Sequence, residues 1–203
     1  MKKFLLFIAI VVSISWLKSD ATKQYEYKTA IVFYMNSEYV AKYPNITMGF
    51  HNAVKEWNKV LPVEIYIKVV NEDVESYALH VKDFGDPAKT NIRLGAYLST
   101  NKLIFIDNDV ETLKPKRTPP YNHLPTAVIV HELGHYFGLR HVVSRQTYNK
   151  ITGDVLLPSE PQARYSIMYP SLGECTNPGK ILPLEIQLAK RVMEKRFFLP
   201  ESP

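Results

Sequence analysis

Eleven residues in the second half of this 203-residue chain constrain it more than any others: His131-Glu132-Leu133-Gly134-His135-Tyr136-Phe137-Gly138-Leu139-Arg140-His141. Residues four apart on an α-helix lie on one face, about one turn apart. His131 and His135 can therefore meet a single zinc ion. Glu132 can reach a water beside that ion without taking a coordination position. Gly138 falls three residues beyond His135, where a left-handed turn would end the helix. Such a turn would swing the chain back and aim His141 at the same ion. Three neutral nitrogens leave a fourth position open, which marks catalytic rather than structural zinc. The alternative is a helix that merely carries surface or core histidines. With 6 His and 8 Gly in the chain, the five fixed positions coincide by chance in roughly one chain in 10^5. Apolar Val128, Ile129, Val130, Leu133 and Phe137 also bracket the polar cluster, and core histidines do not usually come as three with a Glu among them.

The rest of the chain reads as one mixed α/β domain. Composition excludes disorder, collagen and a disulfide scaffold: 46% of residues are hydrophobic, 22% charged, and there is one Cys. A chain of this length buries roughly 70% of its unfolded surface, so packing can support it without staples. Residues 29–35 (TAIVFYM) predict a buried strand. Phe50, Val54, Trp57 and Leu61 recur at helical spacing over 47–60, and Pro62 stops that helix. Residues 63–70 alternate, placing Val63, Ile65, Ile67 and Val69 on one side of a strand. Residues 78–84, 94–99 and 102–107 predict further strands. A proline-rich loop at 112–125 precedes the histidine helix, expected over 126–137 with Thr126 as N-cap and Gly138 as its stop. An irregular stretch over 142–183 leads to a closing amphipathic helix at 184–197, burying Ile186, Leu188, Ala189, Val192 and Met193.

The N-terminus stands apart from this domain. Met1-Lys2-Lys3 precedes an uncharged run from Phe4 to Leu17, about 21 Å long as a helix and short of a hydrocarbon core of about 30 Å. The pattern predicts an export signal over approximately residues 1–19, with residues 20–203 as the catalytic domain. A retained membrane anchor is the alternative. The expected location is outside the cell, or the periplasm of a Gram-negative bacterium. Loss of Lys2, Lys3 and Lys18 with a signal lowers the formal charge from +5 to +2. The densest basic cluster, Lys114-Pro115-Lys116-Arg117, lies in the proline-rich loop, so no nucleic-acid partner is expected.

The segment 131–141 resembles the signature of the metzincin clan of zinc endopeptidases, HExxHxxGxxH followed by a methionine turn. Tyr165-Ser166-Ile167-Met168-Tyr169-Pro170 resembles the Met-turn of matrixins, with Met168 placed 27 residues beyond His141. The resemblance covers approximately residues 27–198. It implies a twisted mixed sheet with a central zinc helix and a C-terminal helix. It also implies Met168 as a hydrophobic base under the three histidines, and Tyr169 and Pro170 as walls of the specificity pocket. Residues 94–99 would be an antiparallel edge strand that binds substrate backbone. Leu172 stands where matrixins usually carry a Tyr, and the span from His141 to Met168 is longer than theirs. Pro170 occupies the position of the astacin tyrosine ligand, and no matrixin structural-zinc loop is visible around His80 and residues 83–86. The chain is thus identified as an outlying, matrixin-like member. Cys175 follows the Met-turn and cannot be the N-terminal cysteine that caps zinc in matrixin zymogens.

The expected function is a secreted zinc endopeptidase acting on a protein or peptide substrate as a monomer. One zinc would be held by His131, His135 and His141, with Glu132 as general base. The rival is a secreted protein of the same fold that holds metal but acts by binding a partner. Two further features are open. Asp107, Asp109 and Glu111 could bind calcium through oxygen ligands or form a solvated acidic turn. Asn45-Ile46-Thr47 fits the glycosylation sequon. His51 and His123 are expected to be ordinary polar residues.

Overall fold

The computed structural model describes residues 30–76, 78–84, 94–114, 120–141, 166–169 and 181–197. The N-terminal apolar run, Pro115 to Arg117, Pro170, Leu172 and Cys175 lie outside the described residues. Among those described, no helix is long and apolar enough to cross a membrane.

Strand β1 (Ala30–Asn36) buries Ile31, Phe33 and Met35 by simple alternation. A short helix follows that the sequence reading did not assign, α1 (Ser37–Lys42), capped by the Asn36 side chain accepting from the Glu38 N–H. Helix α2 (Pro44–Asn58) starts three residues earlier than expected because Pro44 takes its first position. Its buried face is Ile46, Gly49, Phe50, Ala53, Val54 and Trp57. In its last turn Asn58 bonds both the N–H and the carbonyl of Ile65, at 2.8 and 2.9 Å. That anchors helix α2 to strand β2 (Glu64–Val70). The strand expected over 63–70 is present, and the burial of its Val63, Ile65, Ile67 and Val69 face falls off along it. Val63 and Ile65 are buried, Ile67 is half-buried, and Val69 is exposed.

Strands β3 (Ala78–Lys82), β4 (Gly95–Leu98) and β5 (Leu103–Asp107) complete a five-stranded mixed sheet of order β2-β1-β3-β5-β4. All neighbours are parallel except β4, which runs antiparallel to β5 along one edge. Helix α3 (Leu124–Tyr136) is buried along almost its whole length, so it reads as an interior helix rather than a surface one. Helix α4 (Pro183–Phe197) closes the described chain. Leu188, Ala189 and Met193 are buried as expected, while Ile186 and Val192 are only half-buried.

One hydrophobic core joins the sheet to helices α2, α3 and α4. Phe33 meets Phe50 and Tyr136 edge-on, and Trp57 meets Phe137, with centroids 5.6, 5.0 and 4.9 Å apart. Helices α2 and α3 approach so closely at Gly49 that a Cβ there would sit 2.6 Å from the Pro125 Cβ. Trp57 locks the pair by donating its indole N–H to the Val130 carbonyl at 3.1 Å. These contacts fix the depth and rotation of α3, and with it every functional side chain that it carries.

Candidate metal centre

Helix α3 begins two residues before its expected start. The N-cap is His123, not Thr126: its Nδ1 accepts from the Thr126 N–H at 3.4 Å and lies 2.8 Å from the Thr126 hydroxyl. Burial lowers the His123 pKa, the more strongly of two opposed effects, the other being the charge of Glu111. A neutral ring with a free Nδ1 lone pair suits that role. At the other end Gly138 adopts φ +87°, and its N–H and that of Leu139 bond back to His135 and Gly134. This is the left-handed stop that the glycine predicted.

The turn delivers His141 to the helix. Its Nε2 lies 3.0 Å from the Nε2 of His131 and 3.0 Å from that of His135. His131 is buried, His135 half-buried and His141 exposed, so the group faces outward at its open side. The other ring nitrogens decide what these short distances mean. His131 Nδ1 lies 2.7 Å from the Ile167 carbonyl, and His135 Nδ1 lies 2.9 Å from the Leu139 carbonyl. A carbonyl only accepts, so each Nδ1 carries the proton and each Nε2 of a neutral ring is a lone pair. Burial, with the neighbouring His135 and His141 adding to it against the Ile167 hydrogen bond, pushes the His131 pKa down to about 3. Burial likewise lowers that of His135.

Two lone pairs therefore converge on a third imidazole that could offer one proton to at most one of them. A cation satisfies all three. Nitrogens held tetrahedrally at about 2.05 Å from zinc lie about 3.3 Å apart, within a few tenths of an ångström of the two spacings to His141. The donor set thus fits a metal ion. Among the described residues it is the one cluster with metal-ligand spacing.

The chain matches no protein-family model, and no curated protein matches it.

Glu132 is buried at 5% exposure and lies against edge strand β4. A Cβ on Gly95 would come within 2.5 Å of its Oε1. Met168 is buried on the far side of the same helix. A Cβ on Gly134, one residue before His135, would lie 2.4 Å from the Met168 Sδ. Thioether and helix backbone thus approach closely at Gly134. Tyr169 is half-buried, and its N–H bonds the Ser166 carbonyl at 3.1 Å.

Among the described residues, the acidic turn after β5 does not form a group with metal-ligand spacing. Asp107 accepts from the Phe84 N–H at 3.0 Å and the Asp109 N–H at 2.8 Å. Glu111 accepts from the Asn45 and Ile46 N–H groups at 3.0 and 2.9 Å, tying the turn to the start of α2. These oxygens are spent on backbone amides, so the calcium expectation finds no converging ligand set here. Asn45 of the sequon is exposed, and its side-chain amide donates to the Glu111 carbonyl at 3.1 Å.

Sequence reasoning passed over one buried acid, Glu185 in the first turn of α4, which is fully buried. Burial raises its carboxyl pKa, opposed by hydrogen bonds from Ser166, Leu182, Met168 and Ile167. The signal was Pro183 followed two residues later by Glu, the acid that reaches back to the start of a helix.

Proposed function

We propose that this protein is an exported zinc endopeptidase of the metzincin type, resembling matrixins. The observation that carries the proposal is the approach of the Nε2 atoms of His131 and His135, each 3.0 Å from that of His141, with carbonyls behind the first two rings holding the proton on Nδ1. His131, His135 and His141 would hold the ion and leave its remaining side open. A zinc ion in that place supplies Lewis acidity, bringing the pKa of a coordinated water toward 7 and polarising the scissile carbonyl.

The chain's own residues do the rest. Glu132 follows the first ligand, is shielded from bulk solvent and is not a ligand, so it is placed to take a proton from the attacking water. It then passes that proton to the departing amine. Strand β4 is an edge strand whose first residue, Gly95, abuts Glu132. An extended substrate that pairs with β4 would run past the carboxylate. Met168 packs against Gly134 and supports the helix turn between the two ligands.

Cleavage of a diverse peptide library by the mature protein, beside Glu132→Gln, tests the reading. Cuts should be made by wild type alone and vanish with a zinc chelator, while Glu132→Gln retains one zinc per chain. Equal cleavage by the two proteins would sink the assignment of Glu132. A folded, zinc-loaded wild type that cuts nothing would turn the reading toward a protein that binds its partner without cleaving it.

A further inference from the structure

The segment Ser166–Met168 has no helix or strand of its own, yet its Ile167 carbonyl fixes the ring of His131 at 2.7 Å. A side chain of α4 ties the segment down. Glu185 Oε1 accepts from the Ser166 hydroxyl at 2.6 Å and from the Met168 N–H at 3.2 Å. Its Oε2 accepts from the Leu182 N–H at 2.7 Å. The Met168 N–H also points at the Ser166 hydroxyl oxygen at 3.0 Å, closing a small ring of bonds.

An apolar side chain would be the cheaper occupant of a fully buried site in a helix, because a buried carboxyl loses its hydration. A carboxylate has lone pairs for about four donors, and here it ties the start of α4 to both residues that flank Ile167. We propose that Glu185 is a positioning residue for the metal ligand His131, acting through the Ser166–Met168 turn and the Ile167 carbonyl. The hydrogen bond behind a ligating imidazole fixes its orientation and tautomer and raises the basicity of the ligating nitrogen. A turn free to shift would release that bond. This inference rests on His131 being a metal ligand, and the experiment separates the two.

Zinc affinity by chelator competition and the visible spectrum of the cobalt-loaded protein are measured for mature wild type, Glu185→Gln, Glu185→Asp and Ser166→Ala. Gln keeps the volume but turns two donor hydrogens toward groups that are themselves donors. Zinc affinity should fall about 10- to 100-fold in Glu185→Gln, with altered cobalt bands. Glu185→Asp should recover part of the loss, and Ser166→Ala should weaken zinc several-fold. A purely structural role would lower thermal stability and leave zinc affinity and the cobalt bands unchanged. That outcome in Glu185→Gln overturns the inference and leaves the metal site standing. If Glu185→Gln does not fold, wild-type affinity in Ser166→Ala overturns it. A wild type that takes up neither zinc nor cobalt overturns both.

Discussion

Gly95 and Glu132 meet where the edge strand crosses the histidine helix, so closely that any side chain at 95 would occupy the carboxylate's place. A Cβ there would lie 2.5 Å from Glu132 Oε1 and 2.9 Å from its Cγ. Strand β4 can pass over the helix at this height only because residue 95 has no side chain.

Gly95→Ala should therefore damage turnover far more than stability. The obstructed atoms belong to the end of a side chain that can rotate away, so the fold gives little ground. The proposed general base then points elsewhere, and a misplacement of about 1 Å can cost on the order of 100-fold in rate. We expect kcat to drop at least tenfold. Zinc affinity should stay within about twofold, since the atoms that a Cβ at 95 meets belong to Glu132 and not to a histidine. Unchanged kcat in Gly95→Ala would show that Glu132 is not held by this approach.

Acid should strip the site of metal and destabilise the metal-free protein, through His131 above all. Its folded pKa of about 3 lies below the ordinary 6.5, burial being the chief cause. Between those values the unfolded chain binds a proton that the folded chain refuses, so stability falls as pH falls. The slope is about 1 kcal/mol per pH unit for one such group. Glu185 works in the opposite sense, because its raised pKa favours the folded state at low pH and that benefit is lost as pH rises. Denaturant unfolding of the apoprotein between pH 7 and 4, with His131→Asn as reference, isolates the histidine. The wild-type curve should be the steeper. Parallel curves would refute the assignment.

Much of the fold could be read from local pattern. Ala30 to Met35, the apolar spacing of Phe50, Val54 and Trp57, and residues 103–107 all lie in the elements expected of them, because each buries a face that its own sequence defines. The three histidines were legible for the same reason, since helical spacing and a glycine stop set their geometry without help from distant residues. What escaped notice depends on partners far along the chain. Glu185 looks like an ordinary acid in a first helical turn until the Ser166–Met168 segment is laid against it. Burial along β2 falls off beyond the Asn58 bonds to Ile65, which no alternation in 63–70 reveals. His123 shows a third limit: Thr126 is the better N-cap by type, yet Leu124-Pro125 starts the helix earlier and leaves the cap to His123, with Thr126 as its partner.

Trp57→Phe should test how firmly α3 is seated. The substitution removes the 3.1 Å bond to the Val130 carbonyl and part of the ring packed on Phe137. A lost buried hydrogen bond costs about 1–3 kcal/mol, and the residual void adds to it. A loss of about 2–4 kcal/mol in denaturant unfolding is the expectation. Val130 directly precedes His131, so zinc affinity should weaken too, by several-fold. A stability change within about 0.5 kcal/mol would mean that other contacts fix the helix.

Gly138 separates two demands that fall on one residue. Its φ of +87° disfavours any L side chain by about 1–2 kcal/mol, and a Cβ would lie 2.6 Å from Val192 Cγ1. Gly138→Ala should therefore cost more than conformational strain alone, about 2–4 kcal/mol. It should also displace His141, the proposed ligand that the turn delivers, and so weaken zinc binding. Val192 is only half-buried, which makes Val192→Ala a mild change by itself. Combined with Gly138→Ala it removes the steric part and leaves the φ penalty, so the double mutant should recover roughly half of the stability lost. If the two substitutions are simply additive, the helix α4 contact plays no part. Zinc affinity then reports on the turn alone. Recovery of stability without recovery of affinity would place the defect in the left-handed turn that carries His141, and recovery of both would place it in the clash with α4.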